Sequence, residues 1–309
     1  MKPVVTLPAH DGSNGKENLT IENSLVIIGA NGSGKSRLGA WIELTMSSTL
    51  VHRIAAQRSL VVPDVIPQRH LEQAERGLFW GIHRDEPKNM DYKGVRRWNS
   101  KQYTTSLLSD YDAMLSTIIA RIDKRNKEFV DKYKSKISPD NPEYLPVPDS
   151  PLETLLRIWN ELLPHRQISI EDGQVKVQYT DKSYHGKEMS DGERVALYLI
   201  GQCLCVPSGS IIIIDEPEIH LHRSLMSRLW DLLETEKHDC LFIYITHDID
   251  FASSRLGSTK LWVKHTDGRH FVWEIAPDVE DVPQGALLEL LGSRKRILFT
   301  EGEKGSIDY

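Results

Sequence analysis

The stretch Gly29-Ala30-Asn31-Gly32-Ser33-Gly34-Lys35-Ser36 matches G-x-x-x-x-G-K-[ST] in full, a pattern whose chemistry is phosphate binding. Glycines allow a turn tight enough to aim successive backbone N–H groups inward, and a helix starting there adds unsatisfied N–H groups and a positive dipole end. Gly29, Asn31, Gly32, Ser33 and Gly34 therefore form a cradle for the phosphates of ATP or GTP. Lys35 is placed to reach the β- and γ-phosphates, and the Ser36 hydroxyl to serve as a Mg²⁺ ligand.

A second group of candidates follows runs of apolar residues. Ile211 to Ile214 lead directly into Asp215 and Glu216, and Leu241 to Ile245 lead into Thr246-His247-Asp248. Continuous apolar runs of this length read as buried strands of a parallel sheet, and ligands of such sheets bind beyond the carboxyl ends of the strands. Asp215 can then complete the metal shell begun by Ser36. Glu216 can orient or deprotonate a water, and His247 can hydrogen-bond the γ-phosphate. A third group, Ser190-Asp191-Gly192-Glu193-Arg194, precedes the apolar stretch Val195 to Val206. Ser190 with Glu193 fits a helix capping box, and the same serine and glycine also offer donors for an anion. Spacing alone leaves both readings open.

These groups need a scaffold. Leu25 to Ile28 reads as the strand entering the phosphate loop and Arg37 to Leu44 as the helix leaving it. Asn18 to Ile21 reads as a strand beside it, and Val51 to Leu60 as a further strand presenting Gln57 and Arg58. From residue 61 to 151, prolines, charges and aromatics interrupt the alternation, which marks an insertion. Inside it, Leu107, Leu108, Tyr111, Met114, Leu115, Ile118, Ile119 and Ile122 follow helical spacing and define one apolar stripe. The charged continuation, Arg121 to Lys136, reads as a solvated face, with phosphate contact to nucleic acid as the alternative. Leu152 to Leu163 forms an amphipathic helix, and Ile168–Ile170 with Val175–Val177 flank a hairpin turn.

The chain has 309 residues, 39% hydrophobic and 27% charged, with a formal net charge of −6. That charge argues against non-specific coating of nucleic acid. No apolar run approaches the ~20 residues that span a bilayer, and the N-terminus lacks a secretory pattern, so a cytoplasmic protein without membrane partners is expected. Cys203, Cys205 and Cys240 show no ligand or disulfide spacing. His220 and His222 alternate on a segment read as extended, without an evident third zinc ligand.

Taken together, Gly29–Ser36, Ser190–Arg194, Ile211–Glu216 and His247 resemble the Walker A, signature, Walker B and switch-histidine motifs of ABC-type ATPases. Asp215-Glu216-Pro217-Glu218-Ile219-His220-Leu221-His222 is similar to the D-E-P-E-x-x-L-H pattern of SMC-like ATPases of the overcoming-lysogenization-defect group. The resemblance implies an α/β P-loop fold with a mixed sheet flanked by helices, carrying a helical or irregular insertion. It further implies ATP and Mg²⁺ as cofactors and an ATP-sandwich homo-oligomer, in which Ser190, Gly192 and Glu193 of one copy act on the nucleotide held by Lys35 of another. Gln57 would correspond to the metal-contacting Q-loop glutamine. Asp191 and Glu193 replace the usual glycine and glutamine of the signature. The layout also resembles the ATPase component of PARIS-type anti-phage systems, which implies a TOPRIM-like nuclease effector, fused or separate, and a phage-protein trigger. Residues 1–293 would form the ATPase domain, with the signature and Walker B half at 186–260. Residues 294–309, with Glu301, resemble the first strand of a TOPRIM-like segment, or form a terminal sheet strand. A DNA-repair ATPase of the RecF or Rad50 kind and a low-turnover ATP-bound scaffold are the alternatives.

Overall fold

The computed structural model describes residues 3–82, 86–136 and 150–276. The chain begins with strands β1 (Val5–Pro8) and β2 (Lys16–Leu19), then β3 (Ser24–Ile28), helix α1 (Lys35–Thr45) and β4 (Val51–Ile54). Helices α2 (Leu71–Trp80), α3 (Met90–Arg96), α4 (Tyr111–Lys136) and α5 (Pro151–Leu162) follow. Strands β5 (Gln167–Glu171), β6 (Gln174–Tyr179) and β7 (Lys182–His185) lead to α6 (Asp191–Cys205). The rest is β8 (Ile211–Asp215), α7 (Arg223–Glu236), β9 (Leu241–Ile245), α8 (Ile249–Ser254), β10 (Thr259–Thr266) and β11 (Phe271–Ile275).

Six strands form the central sheet in the order β11-β10-β3-β9-β8-β4, parallel except for the antiparallel β11. This is the mixed sheet flanked by helices that the motifs imply. Strands β3, β8 and β9 are buried at every position, which explains their apolar runs. Val26, Ile28, Ile212, Ile214, Phe242 and Tyr244 face one core with α4, α5, α6 and α7. Leu25, Ile27, Ile211, Ile213, Ile243 and Ile245 face the other with α1 and β1. The alternation is the two-residue period of a strand. Because β3, β8 and β9 run parallel, their carboxyl ends emerge on one edge: Ile27 and Asp215 both register against Ile245.

Three expectations change. The strand near residues 18–21 does not lie beside β3, whose neighbours are β9 and β10; β2 pairs with β1 in a separate two-stranded sheet. The strand from Val51 ends at Ile54, because the chain then leaves the sheet edge and Arg58 bridges Leu108 instead. Residues 217–220 form a turn rather than an extended segment, and His222 caps α7 by accepting from the Ser224 amide. Neither histidine joins a ligand cluster among the described residues.

The expected insertion is integral to the packing: Val62, Leu78, Phe79, Met114 and Ile118 are buried in the same core as the sheet. The charged end of α4 is mostly exposed, with Arg121 turned back onto Glu75. The helix at 152–163 and the hairpin appear as α5 and β5–β6, the latter extended by β7. Cys203, Cys205 and Cys240 are free and buried. Among the described residues no helix is long and apolar enough to cross a membrane. The segment 294–309, with Glu301, lies outside the described residues, as does most of the proline-rich stretch 139–151.

Candidate functional site

The phosphate loop is shaped by its glycines. Gly34 adopts φ +102°, and a Cβ there would lie 2.2 Å from the Thr266 methyl, so no side chain fits. A Cβ on Gly29 would lie 2.5 Å from the Val263 carbonyl oxygen. α1 begins immediately after Gly34 with no side chain capping it, which leaves its first-turn N–H groups available to an anion. Ser33 Oγ is buried without a partner. Lys35 is buried, and its ammonium donates to the carbonyls of Gly29 (2.9 Å) and Ala30 (3.2 Å). Burial lowers its pKa, although the nearby Glu216 and Glu218 oppose the shift. A lysine held only by neutral carbonyls gains when a phosphate arrives.

Asp215 closes β8 with its two oxygens in different settings. Oδ2 accepts from Arg53 Nη1 at 2.7 Å, whereas Oδ1 is buried without a partner. Burial raises the pKa of this carboxyl and Arg53 opposes the rise. A Cβ on Gly39 would lie 3.7 Å from Oδ1. Gly39 shares a helical face with Ser36, one turn earlier, so the free oxygen lies against the Ser36 face of α1. A buried anionic oxygen lacking a donor, beside a hydroxyl at the phosphate loop, fits a Mg²⁺ ion, which prefers oxygen ligands.

Glu216, one residue on, has φ +51°, a left-handed conformation that costs a non-glycine residue about 1–2 kcal/mol. Its amide donates to the Ile245 carbonyl (2.8 Å). Its carboxylate receives His247 Nδ1 at 2.7 Å, and Glu218 lies 3.8 Å from the same nitrogen. With the ring's Nδ1–H donating to an ionised carboxylate, Nε2 remains for another partner. Thr246 donates to Glu218 and accepts from the Asp248 amide, which fixes this strand end. Burial first, and the neighbouring Glu216 second, push the Glu218 carboxyl up to about 8. Gly29, Asn31 and His247 line one cleft with Trp262 and Ile249.

Ser190 and Glu193 form a full capping box at the start of α6. The Ser190 hydroxyl donates to Glu193 Oε2 (2.8 Å), while Arg166 Nε (2.7 Å) and the Tyr184 hydroxyl (2.9 Å) donate to Oε1. Burial alone would raise the Glu193 pKa, but the Ser190 amide and hydroxyl, Tyr184 and Arg166 lower it. Ser190 and Gly192 line a second cleft with Pro164 and Leu225, which shares no lining residue with the cleft at His247. Gln57 is exposed; its carbonyl accepts from the Leu108 amide, and its side chain makes no hydrogen bond among the described residues.

The structure thus brings Asp215, Glu216 and His247 to the sheet edge that carries Lys35 and Ser36, and sets Ser190, Gly192 and Glu193 apart. No sequence motif marks Glu43 or Arg53. The signal was there: a strand buried on both faces, Val51-His52-Arg53-Ile54, carries an arginine that must be paired.

A family model described as "AAA domain, putative AbiEii toxin, Type IV TA system" matches residues 162–253. That span, less than a third of the chain, holds α6, β8 and β9 with Ser190, Asp215, Glu216 and His247. Solved structures similar in shape include an Smc head bound to the C-winged helix domain of ScpA, at 15% identity over 90% of this chain and 97% of that one (TM-score 0.47). Another is a nucleotide-free ATP-binding cassette from an ABC transporter, at 16% identity over 89% and 92% (TM-score 0.40). A third, an Smc head domain with a coiled coil from Pyrococcus yayanosii, is 16% identical over 67% and 40% (TM-score 0.36). No curated protein matches the sequence.

Proposed function

We propose that the chain binds and hydrolyses ATP at a site completed by a second copy of itself, and that this nucleotide-dependent association controls a nuclease effector in defence against phage. The observation that carries the reading is the separation of the two clefts. Gly29, Asn31 and His247 line one cleft, beside Glu216, which meets His247, and Lys35, which meets Gly29, while Ser190 and Gly192 line another.

Within one copy, the loop amides and Lys35 would bind the phosphates. Ser36 and Asp215 Oδ1 would hold Mg²⁺, which when bound would supply charge neutralisation for the phosphates. Glu216, fixed by His247 and by its left-handed backbone, is aimed to accept a proton from an attacking water. Nε2 of His247 is left to meet the γ-phosphate. The Ser190 hydroxyl and the first amides of α6 would donate to the γ-phosphate of the other copy. A role in defence is supported by the matched family's description as a putative toxin of a type IV toxin–antitoxin system. The effector, with its TOPRIM-like chemistry, and the phage-protein trigger follow from the sequence resemblance alone.

The test is ATP turnover by wild type, Lys35→Ala and Glu216→Gln, with particle mass measured beside each. Lys35→Ala loses nucleotide binding. Glu216→Gln binds ATP, hydrolyses it at least ~100-fold more slowly and accumulates the associated form. Turnover at the wild-type rate by Glu216→Gln would remove Glu216 from catalysis, and a monomeric ATP-loaded Glu216→Gln would remove the shared site.

A further inference from the structure

Asp215 is clamped from behind. Arg53 lies on β4, adjacent to β8, with its side chain fully buried, and its Nη1 occupies Oδ2 of Asp215 at 2.7 Å. The guanidinium is itself immobilised. Nε donates to Glu43 Oε2 at 3.1 Å, Nη2 donates to the Tyr103 carbonyl, and the carbon at its centre lies 4.0 Å from the middle of the Trp98 ring. Glu43 is fully buried on α1 and is fixed in turn by Lys93 Nζ at 2.8 Å. Both edges and one face of the guanidinium are thus used, and the carboxylate it grips cannot turn.

We propose that Arg53 is a positioning residue for the metal ion: by holding Oδ2, it leaves Oδ1 as the single oxygen that Asp215 presents, and so makes the site selective for Mg²⁺ over Ca²⁺. The inference rests on the ATP–Mg²⁺ reading above. Mg²⁺ demands near-ideal octahedral geometry and keeps several waters, whereas Ca²⁺ accepts bidentate carboxylates in a larger, looser shell. The two oxygens of one carboxylate sit too close together to fill two adjacent octahedral positions. A clamped, one-oxygen carboxylate therefore suits Mg²⁺, and a carboxylate free to rotate admits the bidentate grip that suits Ca²⁺. The rigid fork of arginine is needed because one group must hold Asp215 and Glu43 together; a lysine offers a point charge without that geometry.

The experiment measures binding of a non-hydrolysable fluorescent ATP analogue by the full chain, titrated with Mg²⁺ or with Ca²⁺ and repeated with chelator. Wild type, Arg53→Lys and Glu43→Gln are compared, with a thermal melt for each. Arg53→Lys is expected to weaken the apparent Mg²⁺ affinity by ~10–100-fold, the usual cost of removing a partner behind a metal ligand. Its Ca²⁺ affinity is expected to hold or rise, and metal-free binding of the analogue to stay unchanged. Glu43→Gln, which loosens the arginine without removing it, shifts the Mg²⁺/Ca²⁺ ratio the same way by less, and decides the matter if Arg53→Lys does not fold. An unchanged ratio in a folded variant overturns the positioning role alone. A wild type whose analogue binding ignores Mg²⁺ overturns the ATP–Mg²⁺ reading and the proposal together.

Discussion

Asp215 stands between two groups of charged side chains that are satisfied in opposite ways. Behind it, Glu43, Arg53, Lys93, Arg97 and Asp110 are all buried and paired. Arg53 meets Glu43, Lys93 meets Glu43, Arg97 meets Asp110 at 3.0 Å, and Asp110 accepts from the Tyr198 hydroxyl of α6 at 2.7 Å. With Asp215 the set contains three acids and three bases. In front of it, Lys35 rests on neutral carbonyls, while Asp215 Oδ1, Glu218 Oε2 and Ser33 Oγ are buried without partners. Glu216 adds a left-handed backbone. Buried polar atoms without partners cost roughly 1–3 kcal/mol each, so the cleft is held in a costly arrangement by the ion-paired network behind it, where Arg97 Nε too is buried without a partner. One side of Asp215 is built for rigidity, and the other keeps buried polar atoms unpaired.

The contrast is broken most directly at Glu43. Glu43→Ala leaves Arg53 and Lys93 buried without their shared counter-charge, and removing one partner of such a pair costs ~3–5 kcal/mol. Lys35→Ala removes a desolvated cation whose partners are neutral, and should lower stability by far less. Denaturant unfolding of the two variants beside wild type checks this. A loss on Lys35→Ala as large as that on Glu43→Ala would show that both sides are structural.

The two sides were also unequally legible in the sequence. The phosphate loop, the acids after Ile211–Ile214 and His247 after Leu241–Ile245 could be read because each is a short local pattern whose strand context lies within a few residues. The network draws its members from α1, β4, α3, the segment before α4 and α6, and Arg53 and Asp215 are 162 positions apart in the chain. Nothing local announces that pairing. Residues 61–151 read as an insertion because prolines and charges break the pattern, yet Lys93, Arg97 and Trp98 from that region are buried, and the two cations pair with Glu43 and Asp110 in the interior. The early strand at β2 was misplaced because four residues of strand pattern name no partner.

A finer contrast is the response to pH. Burial and the adjoining Glu216 hold the Glu218 carboxyl at about 8, above its ordinary 4.5. A raised folded-state pKa means that the stabilising form is the neutral one: its contribution is complete below pH 4.5 and is lost as pH rises through 8. Wild type should therefore lose on the order of 1 kcal/mol per pH unit between pH 6 and 8 from this group, levelling off above pH 8, and Glu218→Gln should not. Melting temperatures across pH 6 to 9 measure it. Parallel curves for the two proteins would mean that Glu218 is ionised and compensated, and would move it from the unsatisfied side to the paired one.

Ser190 belongs to neither side, since its hydroxyl is satisfied within its own capping box yet the residue is exposed. As a cap alone, its replacements should rank by capping preference: Ser190→Ala costs ~1 kcal/mol and Ser190→Gly only a few tenths. As a donor to the γ-phosphate of a second copy, both replacements lack the hydroxyl and should lose ATP-dependent association equally, with nucleotide binding by the single chain unchanged. Association that follows the stability ranking would reduce Ser190 to a cap. Equal loss against unequal stability would show that the bond to Glu193 is a resting arrangement, exchanged for a phosphate when two copies meet.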